Sequence, residues 1–253
     1  MTDLHCHILP GMDDGAPDLE TAARLLEMEA LQGVHRVALT SHFDWGEDTI
    51  DAFLERRAAA FDRLRSHLDQ TEPEKEMELK LGCEIMFSPH LINEPVHRLC
   101  LEGTDLLLLE LPVDRNPPFV QDALEYFLAD GLIPVLAHVE RYRYLLEDPS
   151  ILARWVELGV VAHVNGASLV RDGEQAEMAM RFIKWNLVQT IATDTHSPHK
   201  RPPILRQALR KVDEQLGKQK AAWLRQNADL MFGGERPDYH KPHYPRRILG
   251  KWL

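Results

Sequence analysis

Seven short apolar runs, each separated from the next by a helix-like or polar stretch, constrain this chain more than any other feature. They are residues 2–7, "HRVALTSH" (35–42), "MELKLGCE" (77–84), "DLLLLELP" (105–112), "LIPVLAHVE" (132–140), "GVVAHVN" (159–165) and "LVQTIATDTH" (187–196). Runs such as "DLLLLEL" have no polar alternation, the pattern of strands buried on both faces. Between them lie amphipathic stretches with helix signals. "PDLETAARLLEMEALQG" offers Asp18 as an N-cap and Gly33 as a stop. "PPFVQDALEYFLADG", "PSILARWVELG", "GEQAEMAMRFIKWN" and "PPILRQALRKVDEQLG" read the same way. Strands alternating with helices give βαβ units and a parallel sheet.

The polar residues decide between an open sheet and a barrel. Six of the seven runs carry His, Asp or Glu at or near their ends, and the sixth run ends in Asn165. An open sheet gathers its ligands at one switch point, whereas a barrel gathers them from many strand ends. The expectation is an α/β barrel, and 253 residues suit one. The segment 43–76 is read as an outer, solvated helix over 51–69. Residues 1–232 are read as a single unit. Residues 233–253, Pro-rich, basic and aromatic, are read as a tail laid over it.

The chemistry starts at "TDLHCHILPGMDDG" (2–15). Residues i and i+2 of a strand share a face, so His5 and His7 can reach one ion while Cys6 turns into packing. His42, Glu84, Glu110, His138, Asp194 and His196 stand at five further strand ends. Imidazoles with carboxylates suit Zn, Mn, Fe or Co, and eight such groups exceed what one ion requires. Asp14, in the turn just past the first strand, is taken as a further ligand in preference to Asp13. Arg141 and Arg201 follow the fifth and seventh strands, where a guanidinium fork would match phosphate. His163 is read as a packing residue, facing away from Asn165.

Other chemistries lack their residues. A cysteine phosphatase needs Arg six positions after its nucleophile. Met12, Pro89 and Leu106 stand six after Cys6, Cys83 and Cys100. There is no GxSxG elbow, P-loop or GxGxxG. A net charge of −11 argues against nucleic-acid partners, and bound cations would offset part of it. Three unpaired cysteines, no basic–apolar leader and no long apolar run lead to the expectation of a cytoplasmic protein without membrane insertion.

"HCHILPGMDDGA", "TSH", "GCEIMF", "ELP", "AHVERY", "ATDTH" and "RPP", spread from residue 2 to about 205, together resemble the PHP-domain metallophosphatases of the CpsB/CapC type. The resemblance implies a distorted, TIM-like (β/α)7 barrel of the PHP type. It implies three divalent ions, usually manganese, with Fe, Co or Zn as alternatives. By it, His5, His7, Glu84 and Asp194 would hold one ion. His42, Glu110 and His138 would hold a second, bridged by Glu84, while Asp14 and His196 would complete the third. Arg141 and Arg201 would meet the phosphate. The implied activity is hydrolysis of phosphotyrosine on the tail of a bacterial tyrosine kinase that controls capsule or exopolysaccharide synthesis, by attack of a metal-bound hydroxide. A histidinol-phosphatase-like phosphomonoesterase is the alternative. An amidohydrolase lacks its bridging lysine here, and a non-catalytic metal-binding module leaves the arginines unexplained.

Overall fold

The computed structural model describes residues 1–71, 77–248 and 251–252. Part of the 43–76 segment and three residues of the tail therefore lie outside the described residues. Seven parallel runs follow in sequence order. They are β1 (Thr2–Cys6), β2 and β3 (Arg36–Leu39, His42–Phe43), β4 and β5 (Glu78–Leu81, Glu84–Met86), β6 (Leu106–Glu110), β7 (Ile133–Leu136), β8 (Val161–Asn165) and β9 (Thr190–Ala192). β1, β2 and β4 form one sheet, and β3, β5, β6, β7, β8 and β9 form the other. The second and third expected strands are thus each broken in two, and the sheet bends at the breaks. The ring closes between first and last runs. The amide of Asp194 donates to the His5 carbonyl at 2.8 Å, and that of His7 to the Thr195 carbonyl at 2.8 Å. The result is a distorted α/β barrel.

β1 carries an irregularity that sets up the site. Asp3 pairs with Val37 and Cys6 with Leu39, so one extra residue sits on β1 between these pairs. A bulge of this kind re-aims side chains. Leu4 joins the inner apolar cluster with Leu106, Leu108 and Val135, and His5 turns toward His163 and Glu84. Asp3 instead accepts from Thr193 and lies beside Glu29 of the first helix. Cys6 is buried, its thiol donating to the Ala38 carbonyl at 3.2 Å.

The helices form where the sequence places them. α1 (Leu19–Gln32) begins with Asp18 accepting from the Thr21 amide at 2.8 Å and ends at Gly33 with φ of 82°. α2 spans Ile50–Thr71, slightly longer than the expected outer helix. α3 (Val120–Ala129), α4 (Arg143–Glu147), α5 (Ser150–Leu158), α6 (Gly166–Val170), α7 (Glu174–Lys184) and α8 (Leu205–Leu216) follow. α9 (Lys218–Phe232) was not expected from the sequence. Its Ala228, Met231 and Phe232 pack against Leu4, Leu106 and Leu108, which plugs one end of the barrel with apolar surface. Beyond it the tail straps across the same region. The Asp238 amide donates to Asn227 at 2.8 Å, the Tyr239 hydroxyl to the Gly159 carbonyl at 2.8 Å, and the His243 amide to the Trp185 carbonyl at 2.8 Å.

Candidate metal centre

The ends of the strands bring all nine expected ligands, and both arginines, around one cluster. His5, His7, Glu84 and Asp194 form its buried floor. His5 Nε2 lies 3.0 Å from His7 Nε2, 3.1 Å from Glu84 Oε2 and 3.7 Å from Asp194 Oδ1. His7 Nε2 lies 3.2 Å from Glu84 Oε2 and 3.5 Å from Asp194 Oδ1. A tetrahedral ion with bonds of about 2.1 Å has donor–donor edges of about 3.4 Å, and these five distances bracket that length.

Tautomers make the fit specific. His7 Nδ1 meets Asp13 Oδ2 at 2.8 Å, so its proton belongs there. His5 Nδ1 is engaged by His163 Nε2 at 3.0 Å. With both Nδ1 positions protonated, the two Nε2 lone pairs face each other across 3.0 Å. That arrangement is repulsive unless a proton or a metal ion sits between them. Glu84 Oε2, buried and without a hydrogen-bond donor among the described residues, faces the same point. The local electrostatics also favour positive charge. Burial opposes ionisation of His7, yet the bond to Asp13 and the nearby Glu84 carry its pKa up to about 10, so without an ion a second proton takes the Nε2 position that the ion would occupy. Burial likewise opposes charge on Asp194, but His5, His138 and Arg141 hold its carboxyl well below the usual range.

Two further groups adjoin the floor. One is Glu84, Glu110 and His42; His138 falls outside the close donor groups, its Nε2 lying 2.9 Å from Glu84 Oε1 and 3.4 Å from Glu110 Oε1. On the other side, Asp14 Oδ1 lies 3.3 Å from His196 Nε2 and 3.6 Å from His42 Nε2. His196 Nδ1 donates to the Asp194 carbonyl at 2.9 Å, leaving Nε2 bare and without a hydrogen bond. Burial, with His7 nearby, pushes the His196 pKa down to about 4, so the ring is neutral as a ligand must be. His42 spans the groups, its Nδ1 being 3.2 Å from Glu84 Oε2. It therefore borders Asp14 and His196 as well as the Glu84–Glu110 set to which the resemblance confines it.

The backbone is strained at two of these positions. His138 has φ of 33° and Asp194 φ of 53°, left-handed values that non-glycine residues adopt at a cost of about 1–3 kcal/mol. At Asp194 the side chain is held from three directions. Asp194 Oδ2 accepts from Asn165 Nδ2 at 2.8 Å, from Arg141 Nη2 at 2.7 Å and from Arg201 Nη2. The arginines thus rest on the outer oxygen of a carboxylate whose inner oxygen faces His5 and His7.

Three residues of this arrangement were given no functional role from the sequence. Asp13 accepts from His7, from the His42 amide at 2.9 Å and from the Gly15 amide at 3.0 Å. Gly15 is forced by this tight loop, since a Cβ there would lie 2.0 Å from the His7 carbonyl oxygen. Asn165 caps α6 through the Ala167 amide while holding Asp194. The expectation for His163 is overturned. Residues 163 and 165 are two apart on one strand and share a face, so both point inward. Their spacing was signal enough to group them.

The cluster opens on a cleft of about 790 Å³ bordered by Asp14, His42 and Glu110, with Met12 and Met86 on its wall. No described helix is long and apolar enough to cross a membrane.

Comparison with known proteins agrees with this geometry. Residues 1–232 match the family described as capsular polysaccharide synthesis, CpsB/CapC. The chain is 30% identical over 257 residues to the tyrosine-protein phosphatase YwqE of Bacillus subtilis, covering 99% of both chains. It superposes with a TM-score of 0.89 and 27% identity on a chain from the crystal structures of YwqE from Bacillus subtilis and CpsB from Streptococcus pneumoniae, unique metal-dependent tyrosine phosphatases, covering 98% of this chain and all of that one. The histidinol phosphate phosphatase of Lactococcus lactis, solved with Zn, L-histidinol and phosphate, shares the fold at a TM-score of 0.51 and 13% identity, over 87% of this chain and 94% of that one.

Proposed function

This chain belongs to the CpsB/CapC family, and from that premise we propose how it acts: it is a metal-dependent protein-tyrosine phosphatase whose centre is built from His5, His7, Asp14, His42, Glu84, Glu110, His138, Asp194 and His196. The observation that carries this reading is the floor of the site, four donors spaced 3.0–3.7 Å apart with two imidazole Nε2 atoms face to face. Three ions, manganese in the native enzyme, fit the three overlapping groups. When bound they supply an activated water and neutralise phosphate charge.

The chain's own residues do the rest. Arg141 and Arg201 are part-exposed beside the cluster and already carry an anion, Asp194 Oδ2. A phosphate offers them further anionic oxygens at the same place, and their forked donors orient it. The aryl ring lies in the cleft along Met12 and Met86. Phenolate leaves with a conjugate-acid pKa of ~10, far below an alkoxide, so aryl phosphates need little general-acid help. The three cysteines are free and buried and take no part. Burial pushes the Cys6 thiol well up, which disfavours the nucleophilic thiolate.

The substrate is a phosphotyrosine-bearing tail of a bacterial tyrosine kinase that governs capsule or exopolysaccharide synthesis, met in the cytoplasm. Residues 1–232 form the catalytic unit, and the tail beyond them contributes a strap through Asp238, Tyr239 and His243. The test is kcat/KM of the manganese-loaded protein on phosphotyrosine peptide, phosphoserine peptide and histidinol phosphate. Preference for phosphotyrosine, abolished in Asp194→Asn, is expected. Equal turnover by that variant, or preference for histidinol phosphate, would contradict the reading.

A further inference from the structure

His163 lies outside every donor group of the centre, yet it is fully buried and directed at one of them. Its Nε2 is 3.0 Å from His5 Nδ1, with the two rings edge to face at 80°. Its own Nδ1 makes no hydrogen bond among the described residues. On its other side His163 borders a small cavity whose lining is mostly apolar, with Leu4, Leu106, Leu108 and Val135 beside Thr40 and Cys83. The other imidazoles of the centre whose Nδ1 is engaged use different partners. His7 has the Asp13 carboxylate and His196 the Asp194 carbonyl.

An imidazole that presents a bare Nε2 must carry its proton on Nδ1. That proton, buried on His5, requires an acceptor, and His163 Nε2 is the side-chain atom placed to accept it. His163 must then hold its own proton on Nδ1. Without the acceptor, His5 does better with its proton moved to Nε2, where Glu84 Oε2 stands 3.1 Å away. The proton would then occupy the position an ion needs. We propose that His163 is a positioning residue: by accepting the Nδ1–H of His5 it locks that ring in its metal-binding tautomer. The proposal rests on the metal reading of the site.

The consequence is selective. His163→Leu fills the space but accepts nothing. His163→Gln offers a side-chain carbonyl in a similar volume. Partners of this kind are typically worth 10–100-fold in metal affinity. The experiment is calorimetric titration of chelator-stripped full chain with Mn2+, with the visible spectrum of the Co2+ form as a second readout and thermal melting of the stripped proteins as a check on folding. The expected result is a 10–100-fold loss of affinity at one site in His163→Leu with an altered Co2+ spectrum. His163→Gln should stay within a few-fold of wild type, and all three stripped proteins should melt alike. Undiminished Mn2+ affinity in His163→Leu would overturn the proposal, as would an equal loss in His163→Gln. Failure of the wild type to bind Mn2+ or Co2+ would overturn the metal reading itself.

Discussion

Removing the Asp13 carboxylate is the sharpest perturbation of the ligand His7 that leaves every proposed ligand in place. Asp13 accepts three hydrogen bonds, from His7 Nδ1, the His42 amide and the Gly15 amide, at 2.8–3.0 Å. Burial opposes its charge, but the bond and proximity to His7 keep it ionised well below the usual carboxylate range. Asparagine cannot reproduce this. If its oxygen faces His7 and the His42 amide, its NH2 meets the Gly15 amide, donor against donor. If it is flipped, His7 and His42 lose their acceptor. Gly15 cannot retreat, because the loop already touches the His7 carbonyl. A carboxylate behind a metal-binding histidine is worth 10–100-fold in affinity, or about 1.4–2.8 kcal/mol. Asp13→Asn should therefore bind Mn2+ about 10-fold more weakly, and Asp13→Ala up to about 100-fold more weakly, by calorimetry on stripped protein. Activity on phosphotyrosine peptide should fall at limiting Mn2+ and largely return at saturation. Unchanged affinity in both variants would refute the reasoning and leave Asp13 as a turn former only.

Arg141→Ala and Arg201→Ala should each lower kcat/KM by about 10–100-fold, the value of a charge-assisted bond of ~1.5–3 kcal/mol. Because both guanidiniums rest on the single oxygen Asp194 Oδ2, the double variant should lose less than the product of the two, and strict multiplicativity in a kinetic double-mutant cycle would contradict the shared contact. Glu29 is buried next to Asp3, and burial followed by that neighbouring charge raises its pKa well above the ordinary 4.5. In the folded chain it stays protonated where the unfolded chain has released its proton, so its contribution to stability is complete below about pH 4.5 and is lost as pH rises toward the folded value. Denaturant melts of stripped protein across that range should show a decline, by at most about 1.4 kcal/mol per pH unit, that is absent in Glu29→Gln. Parallel curves would show that Glu29 is not the group responsible.

The barrel was legible because period and chemistry agreed. Continuous apolar runs gave the strands, and their polar ends gave the face on which the site lies. The expected ligands other than Asp14 followed from position, since a His, Asp or Glu at a parallel strand's carboxyl end is carried to the same mouth. Three things were not legible. α9 begins directly after Gly217 with the polar stretch "KQK", and its apolar face makes sense only against the barrel end that it plugs. The bulge in β1 leaves no mark in "TDLHC", because it is set by pairing with β2. Asp14 is the expected ligand in preference to Asp13, but the role of Asp13 behind His7 leaves no mark in a turn pair. Only the folded loop turns one inward to His7 and the other toward His42 and His196. His163 is a different case, since its spacing from Asn165 already placed it on the inner face.

The central claim is that the converging strand ends hold ions without which phosphotyrosine is not hydrolysed. Metal content by elemental analysis, measured alongside phosphotyrosine turnover before chelation, after it and after return of Mn2+, tests this directly. The account predicts about three ions per chain, loss of turnover on stripping and recovery with Mn2+. Full turnover by protein shown to be free of metal would contradict it.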